Sequence, residues 1–332
     1  YQLAITIGFL FAYFINWWIL SVAETAALDP AARFVSDFMN KAMVDEYWRG
    51  MLGSETIPAL LFFFIIFLIP ESPRWLIVHG EGQKASAVLQ KIYLSPDEAS
   101  RQKSITEDSI NGEVKTEWKA LLSPGILKAV LIGSAIAILG QFMGVNAVLY
   151  YGPEIFKEAG LSSGDALFSQ VLVGFVNTGT TIIALLIIDK VGRKKLVYWG
   201  VSGMILSLLM IGFYFIFPEQ LGSIFMLVFF LFYVFCCAIS ICAVVFVLLS
   251  EMYPNNVRGI AMSIAGLALW IGTYLIGQLT PWLLANVPPF APAGTFFLFA
   301  LMCVPYLLIM WKLVPETTGK TLEEIERYWK ER

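Results

Sequence analysis

The sequence predicts an all-α polytopic membrane protein, a bundle of helices that cross a bilayer. Of the 332 residues, 58% are hydrophobic and 14% are charged, against about 45–50% and 25% in soluble domains. The apolar residues are also grouped into runs of the roughly 20 residues that a crossing helix needs. This composition excludes a disordered chain and an ordinary water-soluble enzyme. The net charge of −3 gives no reason to expect a nucleic-acid partner.

Eight apolar segments are long enough to be spans, and they are separated by short turns and by two longer polar stretches at 24–50 and 70–125. No segment has the charged start and cleavage site of a signal peptide. The predicted spans are 1–23, 51–69, 126–149, 166–188, 197–217, 222–250, 260–285 and 295–314.

The distribution of lysine and arginine predicts the orientation. With both ends placed in the cytoplasm, the inner segments hold 17 of these residues and the outer segments hold 4. An excess of positive charge marks the cytoplasmic side. We therefore expect a multi-pass protein of the cell (inner) membrane with both ends of this chain in the cytoplasm.

A short repeat indicates how the spans are organised. Pro70-Glu71-Ser72 follows the second span and Pro315-Glu316-Thr317 follows the eighth, an offset of 245 residues that encloses six spans. Parallel repeats of six spans build one large transporter class. The repeat therefore predicts that about four further spans, on the order of 130–150 residues, precede Tyr1 in the parent protein. The alternative is a native eight-span protein in which the two motifs match by chance.

The repeat divides the chain into four parts. Residues 1–70 are the last two helices of a first six-helix half, and 71–125 are a cytoplasmic linker with short helices. Residues 126–314 are a second six-helix half, and 315–332 form a cytoplasmic tail helix.

The linker and the tail carry apolar stripes at helical spacing. In the linker they are Val88 with Ile92, and a run of four: Val114, Trp118, Leu121 and Leu122. The tail begins with a capping-box pattern at Thr321 to Glu324 and places Leu322, Ile325 and Trp329 on one face. These helices either clamp the cytoplasmic side of the bundle or rest on the membrane surface, and the sequence does not separate the two.

Uncharged polar residues inside the spans are the candidate binding residues, because polar side chains in lipid-buried helices usually face the bundle interior. The third span is the richest, with Gln141, Asn146 and Tyr150 on one broad helical face. Gly140 and Gly144 in the same span permit either close helix packing or a local break. Other spans contribute Gln2, Asn16, Asn177, Trp270, Thr273 and Gln278.

Amides, hydroxyls and aromatic faces with almost no charge suit a neutral, polyhydroxylated ligand. Amides both donate and accept hydrogen bonds, and aromatic rings stack on the C–H faces of a sugar ring. The alternative for each residue is a hydrogen bond between helices.

Charged residues fall into two groups. Glu55 is one carboxylate among apolar residues; buried, it would have a raised pKa and take part in proton coupling, and on the outer rim it would be exposed to water. Acids and bases also lie together at predicted cytoplasmic helix ends, where they form ion pairs between helices or are solvated loop charges. These residues are Glu71, Arg74, Asp189, Arg193, Glu251 and Arg258.

The sequence gives no sign of enzymatic or metal chemistry. The four cysteines lie in apolar runs without metal-ligand spacing, so buried, inert thiols are expected. His79 is the single histidine and supplies neither a zinc site nor a catalytic triad. We expect no enzyme, no metal and no cofactor other than a proton as a coupling ion.

Five longer motifs follow one another along the chain. They are Pro70-Glu71-Ser72-Pro73-Arg74-Trp75-Leu76, Gln141-Phe142-x-Gly144-x-Asn146 with Tyr150-Tyr151, Asp189-x-x-Gly192-Arg193-Lys194, Ser250-Glu251-x-x-Pro254-x-x-x-Arg258-Gly259 and Pro315-Glu316-Thr317-x-Gly319-Lys320. In this order they resemble the sugar porter family of the major facilitator superfamily, and most of all its bacterial proton-coupled monosaccharide porters of the D-xylose symporter type. The resemblance covers the chain from residue 1 to the tail.

The resemblance implies the major facilitator fold with residue 1 at the start of the fifth of twelve helices, and monosaccharide transport by alternating access, with a proton as the expected coupling ion. It implies that Glu55 matches a carboxylate of proton-coupled members and that the six cytoplasmic charges form a gating network. The implied partners are a monosaccharide, a proton and the lipid bilayer, with the protein a monomer. The substrate contacts it implies are Gln2, Gln141, Asn146, Tyr150, Asn177, Phe246 and Trp270.

The chain departs from the family pattern at three places. Gly140 stands where the family has Gln, Leu269 stands for a Gln or Asn, and Cys242-Ala243 with Phe246 replace Gly-Pro and Trp. Each hydrogen bond lost is worth about 0.5–1.5 kcal/mol. We therefore expect a monosaccharide with fewer or differently placed hydroxyls than glucose.

Two other functions stay open. One is a proton-independent sugar facilitator, because the family's main proton-binding Asp lies in a helix that this chain lacks. The other is a transporter-like sugar sensor, although sensors of that kind usually add a long signalling tail. The sequence leaves open which sugar is carried, in which direction and with which ion, and the oligomeric state.

Overall fold

The computed structural model describes residues 2–93, 95–111, 121–254, 257–287, 292–317, 320 and 322–330. Within these residues the regular elements are helices, as the sequence predicts. The chain divides into two compact units. The bundle unit comprises Tyr1–Met51 and Trp118–Arg332, and the small unit comprises Leu52–Glu117.

Sixteen α-helices are described. From the N-terminus they are α1 (Gln2–Leu28), α2 (Asp37–Asn40), α3 (Tyr47–Ser54), α4 (Thr56–Ile66), α5 (Pro73–Val78), α6 (Gly82–Ile92) and α7 (Pro96–Asn111). There follow α8 (Pro124–Phe142), α9 (Val145–Glu158), α10 (Ser163–Val191), α11 (Arg193–Ile216), α12 (Pro218–Cys237), α13 (Ala243–Met252), α14 (Arg258–Asn286), α15 (Ala293–Lys312) and α16 (Leu322–Lys330). A 3₁₀ turn (Pro30–Ala32) and two π turns (Lys41–Asp45 and Ala238–Cys242) complete the described elements.

The eight predicted spans are confirmed as helical segments long and apolar enough to cross a membrane. They run Gln2–Leu28, Tyr47–Ile66, Pro124–Glu158, Ser163–Val191, Arg193–Ile216, Pro218–Met252, Arg258–Asn286 and Ala293–Lys312. The chain is thus a multi-pass membrane protein. In the bundle unit, α1 packs along α10, α8 along α14, and α11 against both α12 and α15.

The third span is broken between α8 and α9. Gly144 adopts φ = +88°, a left-handed conformation that glycine adopts without strain, and the ring of Phe299 fills the space a side chain there would need. The break leaves the carbonyl of Met143 outside the helical ladder, and the Tyr233 hydroxyl donates to it at 2.8 Å. The two glycines were expected to allow either close helix packing or a local break. Gly144 lies at the break, while Gly140 is buried in the packed part of α8.

Proline at position 153 bends α9 and frees a second carbonyl. Because Pro153 has no N–H, the carbonyl of Leu149 four residues earlier loses its helical partner. The Tyr13 hydroxyl from α1 and Gln170 Nε2 from α10 donate to this oxygen at 2.9 and 3.0 Å. The kink therefore joins three helices through one carbonyl.

Helix α14 repeats this arrangement. Pro281 removes the donor for the carbonyl of Gly277, and the Tyr151 hydroxyl of α9 donates to that oxygen at 2.7 Å. Each net hydrogen bond of this kind contributes about 0.5–1.5 kcal/mol, and leaving the carbonyl unpaired would cost more.

The sixth span contains a π turn, Ala238–Cys242, between α12 and α13. Its Ser240 is fully buried and lies where a side chain at Gly200 of α11 would stand. The glycine therefore allows α11 to approach the π turn closely.

In the small unit the helix predicted around Val88 and Ile92 is present as α6, but its buried face differs from the prediction. The buried residues are Ala85 and Leu89, whereas Val88 is half-buried and Ile92 is exposed. The prediction was wrong because the packing of α5 and α7 against α6 selects the face one residue away. Val114 and Trp118 lie outside the described residues.

The tail helix α16 packs on the bundle unit against α8 and α13. Ile325 and Trp329 are 2% and 1% exposed. This apolar face therefore packs against the bundle instead of resting on a membrane surface. Thr321 of the capping-box pattern lies outside the described residues.

Candidate functional site

A cavity of about 190 Å³ lies in the bundle unit between α1, α8, α9, the π turn, α13 and α14. It forms where the third span breaks, so residues from both α8 and α9 reach it. Its lining residues are Gln2, Ile5, Phe9, Gln141, Val145, Asn146, Leu149, Tyr150, Ile241, Cys242, Val245, Phe246, Leu269, Trp270 and Thr273.

Three uncharged polar side chains in this wall form one cluster. Asn146 Nδ2 donates to Gln141 Oε1 at 2.7 Å and lies 3.4 Å from Thr273 Oγ1. The Thr273 hydroxyl in turn lies 3.2 Å from Gln141 Oε1 and 3.0 Å from the carbonyl of Leu269. The cluster therefore connects α8, α9 and α14 at the level of the helix break.

The cluster fixes the direction in which Gln141 offers hydrogen bonds. Its Oε1 faces donors from two residues, so the amide oxygen is satisfied within the protein. The Nε2 group of Gln141 and the Oδ1 atom of Asn146 have no hydrogen-bond partner among the described residues. The wall thus presents one amide donor group and one amide acceptor beside the cavity.

Aromatic rings border the same space. Tyr150, Phe246 and Trp270 are 48%, 39% and 65% exposed, and Phe9 of α1 joins them. None of the residues that line the cavity carries a charge. Since a charged ligand in a partly dry cavity requires a compensating charge, this chemistry favours a neutral ligand with polar and C–H faces.

Asn177 is the one predicted contact that does not line this cavity. It is 5% exposed on α10 and borders a separate space of about 10 Å³. Val145, Leu149 and Cys242 line both spaces and therefore form the wall between them. The other six predicted contacts all line the main cavity: Gln2, Gln141, Asn146, Tyr150, Phe246 and Trp270.

Some of the departures from the family pattern line the cavity and others do not. Leu269, Cys242 and Phe246 line the cavity, so these changes alter its surface directly. Gly140 does not line it; a methyl group at Gly140 would lie 3.8 Å from the side chains of Ile241 and Tyr306.

Glu55 occupies the turn between α3 and α4, and its side chain is exposed. The backbone N–H of Ala59 donates to the Glu55 carbonyl at 3.2 Å, while the carboxylate makes no capping hydrogen bond. Within this chain the Glu55 side chain is therefore not buried against protein, like the rest of its span.

Arg193 is the centre of a charge cluster at the start of α11. Its Nη2 atom lies 2.8 Å from Glu251 Oε1 and 2.9 Å from Asp189 Oδ1. The Arg193 and Glu251 side chains are 11% and 23% exposed, whereas Asp189 is 79% exposed. The pair with Glu251 is therefore largely withdrawn from water, and it links the ends of α11 and α13.

The remaining predicted charges are not in this cluster. Arg258 donates from Nε and Nη2 to the backbone carbonyl of Tyr253 at 3.3 and 3.2 Å. Glu71 and Arg74 precede and begin α5 in the small unit, and both are exposed.

Tyr253 itself is buried just after α13, with its hydroxyl against Gly133 of α8. A side chain at position 133 would overlap this hydroxyl. Burial raises the pKa of the Tyr253 phenol, so the residue stays neutral at physiological pH.

The structure adds cavity residues that the sequence prediction did not select. Ile5 and Phe9 lie three and seven residues after Gln2, on the same helical face. Helical spacing from the chosen polar residues was the signal that could have found them. Ile241 and Cys242 lie in the π turn, which the sequence did not predict.

Comparison with known proteins gives consistent matches. The sequence profile of the family described as "Sugar (and other) transporter" matches residues 1–329. The D-xylose-proton symporter of Escherichia coli K12 is 36% identical over an alignment of 334 positions that covers 99% of this chain and 63% of the symporter. The arabinose-proton symporter of Bacillus subtilis is 35% identical over 329 residues, 99% of this chain and 67% of that protein.

Solved structures give the same match. The proton:xylose symporter XylE bound to 6-bromo-6-deoxy-D-glucose superposes with a TM-score of 0.73 at 36% identity, over 99% of this chain and 66% of XylE. The inward open conformation of XylE from E. coli superposes with a TM-score of 0.77 at 34% identity, over 99% and 64%. The chain thus spans less than two thirds of the E. coli symporter's length.

The match along the whole chain fits the eight apolar helical spans. The family consists of transporters and not enzymes. The chain belongs to the sugar transporter family of the major facilitator superfamily.

Proposed function

We propose that the whole protein moves a neutral monosaccharide across the membrane by alternating access, as a sugar:proton symporter. The observation that carries the proposal is the cluster of Gln141, Asn146 and Thr273 beside an uncharged, aromatic-bordered cavity. The relatives are named D-xylose-proton and arabinose-proton symporters, which agrees with a small neutral sugar.

The cavity explains how such a sugar would be held. The Nε2 group of Gln141 donates to a sugar hydroxyl oxygen, and Asn146 Oδ1 accepts from a sugar hydroxyl. Trp270 and Tyr150 supply aromatic faces for the C–H side of the ring. With each net hydrogen bond worth about 0.5–1.5 kcal/mol, a few such contacts give a sugar affinity weak enough for release.

The surface of the cavity also bears on which sugar is carried. Leu269 and Phe246 present apolar surface where the family pattern has an amide and an indole. A hydroxyl facing Leu269 would be left unpaired, which costs about 1–3 kcal/mol. We infer a monosaccharide with fewer or differently placed hydroxyls than glucose, such as a pentose or a deoxy sugar.

The charge cluster is the proposed cytoplasmic gate. When the inner side is closed, Arg193 holds the ends of α11 and α13 together through Glu251. Opening separates the pair in the presence of water, which solvates the charges and limits the cost. Arg258, Glu71 and Arg74 belong to the same proposed network in other states of the cycle. The proposed orientation has both ends of this chain in the cytoplasm, in the inner membrane, with the protein a monomer.

Proton coupling through Glu55 has its own test. An exposed carboxylate can exchange protons with the outer solution, which is why Glu55 is the proposed coupling group. In the whole protein, Glu55→Gln is expected to flatten the pH dependence of uptake. An unchanged pH profile would remove Glu55 from the coupling scheme.

Uptake of labelled D-xylose, L-arabinose, 6-deoxyglucose and D-glucose into vesicles, with and without a proton gradient, tests the proposal. We expect pentose or deoxy-sugar uptake that the gradient drives above equilibrium. Uptake that only equilibrates supports the proton-independent facilitator, and binding without uptake supports the sensor. Preferred transport of glucose would contradict the inference about hydroxyls.

A further inference from the structure

Two cysteines at the π turn of the sixth span form a thiol pair, and one of them, Cys242, lines the cavity. Cys237 is the last residue of α12 and Cys242 is the last residue of the π turn. Their Sγ atoms lie 3.4 Å apart, within an S–H···S hydrogen bond. Both are free thiols.

The π turn is what brings these thiols together. In an α-helix, side chains five residues apart point about 140° away from each other, so Cys237 and Cys242 would face different neighbours. The i to i+5 hydrogen bonding of a π turn places residues five apart one above the other. Turns of this kind occur frequently at functional sites.

The pair is placed where a small polar solute can reach it. Cys242 lines the 190 Å³ cavity and also borders the small space beside Asn177, while Cys237 borders only the small space. Cys242 is half-buried, and Cys237 is 4% exposed behind it. The two thiols thus differ in access. Cys242 can contact a solute in the cavity, and Cys237 lies behind it, in position to react with Cys242.

The other two thiols of the chain face elsewhere. Cys236 is buried against Gly203 of α11, and Cys303 donates its S–H to the carbonyl of Phe299 at 3.3 Å. In the described part of the chain, neither has a second sulfur within hydrogen-bond distance. Within these residues, Cys236 and Cys303 therefore serve as control thiols that have no sulfur partner with which to form a disulfide.

We propose that Cys237 and Cys242 are an oxidisable thiol pair that closes to a disulfide when a small hydroperoxide enters the cavity. The Cys242 thiol gives up its proton and its thiolate attacks one peroxide oxygen; the O–O bond breaks, and the hydroxide or alkoxide that leaves takes up that proton as water or an alcohol, which gives a sulfenic acid on Cys242. The Cys237 sulfur then attacks the Cys242 sulfur, the S–O bond breaks, and hydroxide leaves with the Cys237 proton as water. The two thiols lose two electrons, and the peroxide is reduced.

The disulfide would change the molecule at a defined place. It would cross-link the two ends of the π turn Ala238–Cys242, so the sixth span would no longer convert this turn to another helical form. It would also replace an S–H donor in the cavity wall. We therefore expect oxidation to lower sugar uptake and a dithiol reductant to restore it.

The test treats the purified protein in detergent with hydrogen peroxide or diamide and counts the thiols that a maleimide labels after denaturation. We expect two of the four cysteines of this chain to lose their label. Peptide mass mapping should place the bond between Cys237 and Cys242, with the loss of two hydrogen atoms. The loss should vanish in Cys242→Ser and Cys237→Ser, and persist in Cys236→Ser and Cys303→Ser.

Other results would overturn the proposal. They are four remaining thiols, a different pairing, or a sulfinic or sulfonic acid on one cysteine with its neighbour still reduced. The mapping of the unsubstituted protein decides this even where a serine variant fails to fold.

A further arm depends on the proposed function: D-xylose should slow oxidation of the pair, because it fills the space in front of Cys242. A disulfide that forms at the same rate with and without every sugar tested would leave the thiol pair standing and count against the sugar site.

Discussion

The cavity wall and the charge cluster both place polar groups inside an apolar helix bundle, but they stabilise these groups in different ways. The cavity wall uses neutral amides and a hydroxyl that satisfy one another and still leave donor and acceptor atoms beside the cavity. The charge cluster uses one guanidinium shared between two carboxylates, largely buried on one side and exposed on the other. Neutral groups can therefore exchange a protein partner for a ligand at low cost in free energy. Removing one partner of the buried ion pair, in contrast, leaves an uncompensated charge and destabilises the protein.

The largest effect should come from removing the central cation of the charge cluster. Arg193→Leu leaves Glu251 as an uncompensated, mostly buried charge, and we expect a loss of about 3 kcal/mol of stability. Denaturant titration of the protein in detergent measures this.

The double variant Arg193→Leu with Glu251→Leu is the control for that substitution. It should recover most of the loss, because no lone charge remains. If the double variant is as unstable as the single one, packing and not charge is the reason for the loss.

A smaller effect is expected in the cavity wall. Gln141→Ala removes the amide that accepts from Asn146 and Thr273 and that faces the ligand, so sugar affinity should fall about tenfold for each 1.4 kcal/mol lost. Isothermal titration with the transported sugar measures it.

Asn177→Ala is the matched control for Gln141→Ala, because its amide borders only the separate small space. It should leave affinity within about twofold, a difference well below 1.4 kcal/mol. Equal losses from the two variants would mean that Asn177 contacts the sugar and that the wall between the two spaces opens during transport.

A third effect, about 1 kcal/mol, concerns the backbone that supports the cavity wall. Tyr151→Phe removes the donor to the Gly277 carbonyl that Pro281 leaves unpaired. Pro281→Ala restores a backbone N–H to that carbonyl. Tyr151→Phe should therefore cost less in the Pro281→Ala background, and a double-mutant cycle of stability measures the coupling.

Tyr274→Phe on the same helix is the control for that cycle. Its side chain is 66% exposed, and its hydroxyl has no hydrogen-bond partner within the described residues. It should be neutral in both backgrounds. A zero coupling energy between Tyr151 and Pro281 would exclude the proline as the reason for the hydrogen bond.

The smallest effect should be at the exposed side of the charge cluster. Asp189→Asn removes a carboxylate that is 79% exposed, and exposed ion pairs contribute about 0.2–1 kcal/mol. We expect a stability change near the lower end of that range, which high salt abolishes. A loss as large as that of Arg193→Leu would show that Asp189 and not Glu251 is the main partner.

The sequence predicted the spans well because each depends on a long apolar run, which the bilayer requires wherever the chain crosses. It also predicted which uncharged residues gather in one cavity, since only Asn177 of seven lies apart. That miss has a physical reason. The direction in which Asn177 faces depends on how α10 packs along α1. The sequence shows that a polar residue lies inside a span, but not which neighbouring helix it faces.

The breaks within the spans were less visible. Gly144 was recognised as a place for either packing or a break, and only the Phe299 ring beside it decides between them. The π turn at Ala238–Cys242 lies in an uninterrupted apolar run, so neither periodicity nor composition marks it. Cys237 and Cys242 were expected to be inert because they lie in an apolar run without metal-ligand spacing, and the sequence does not show the π turn that brings them together.

The π turn also has a consequence for how such proteins diverge. It accommodates one residue more than an α-helical path between the same ends. A single-residue deletion inside Ala238–Cys242 would thus leave both flanking helices intact while restoring regular winding between them. Relatives of this chain can consequently differ in length by one residue in the middle of a transmembrane helix. An alignment that forbids gaps there would assign Phe246 and every residue after it in the helix to the wrong partner.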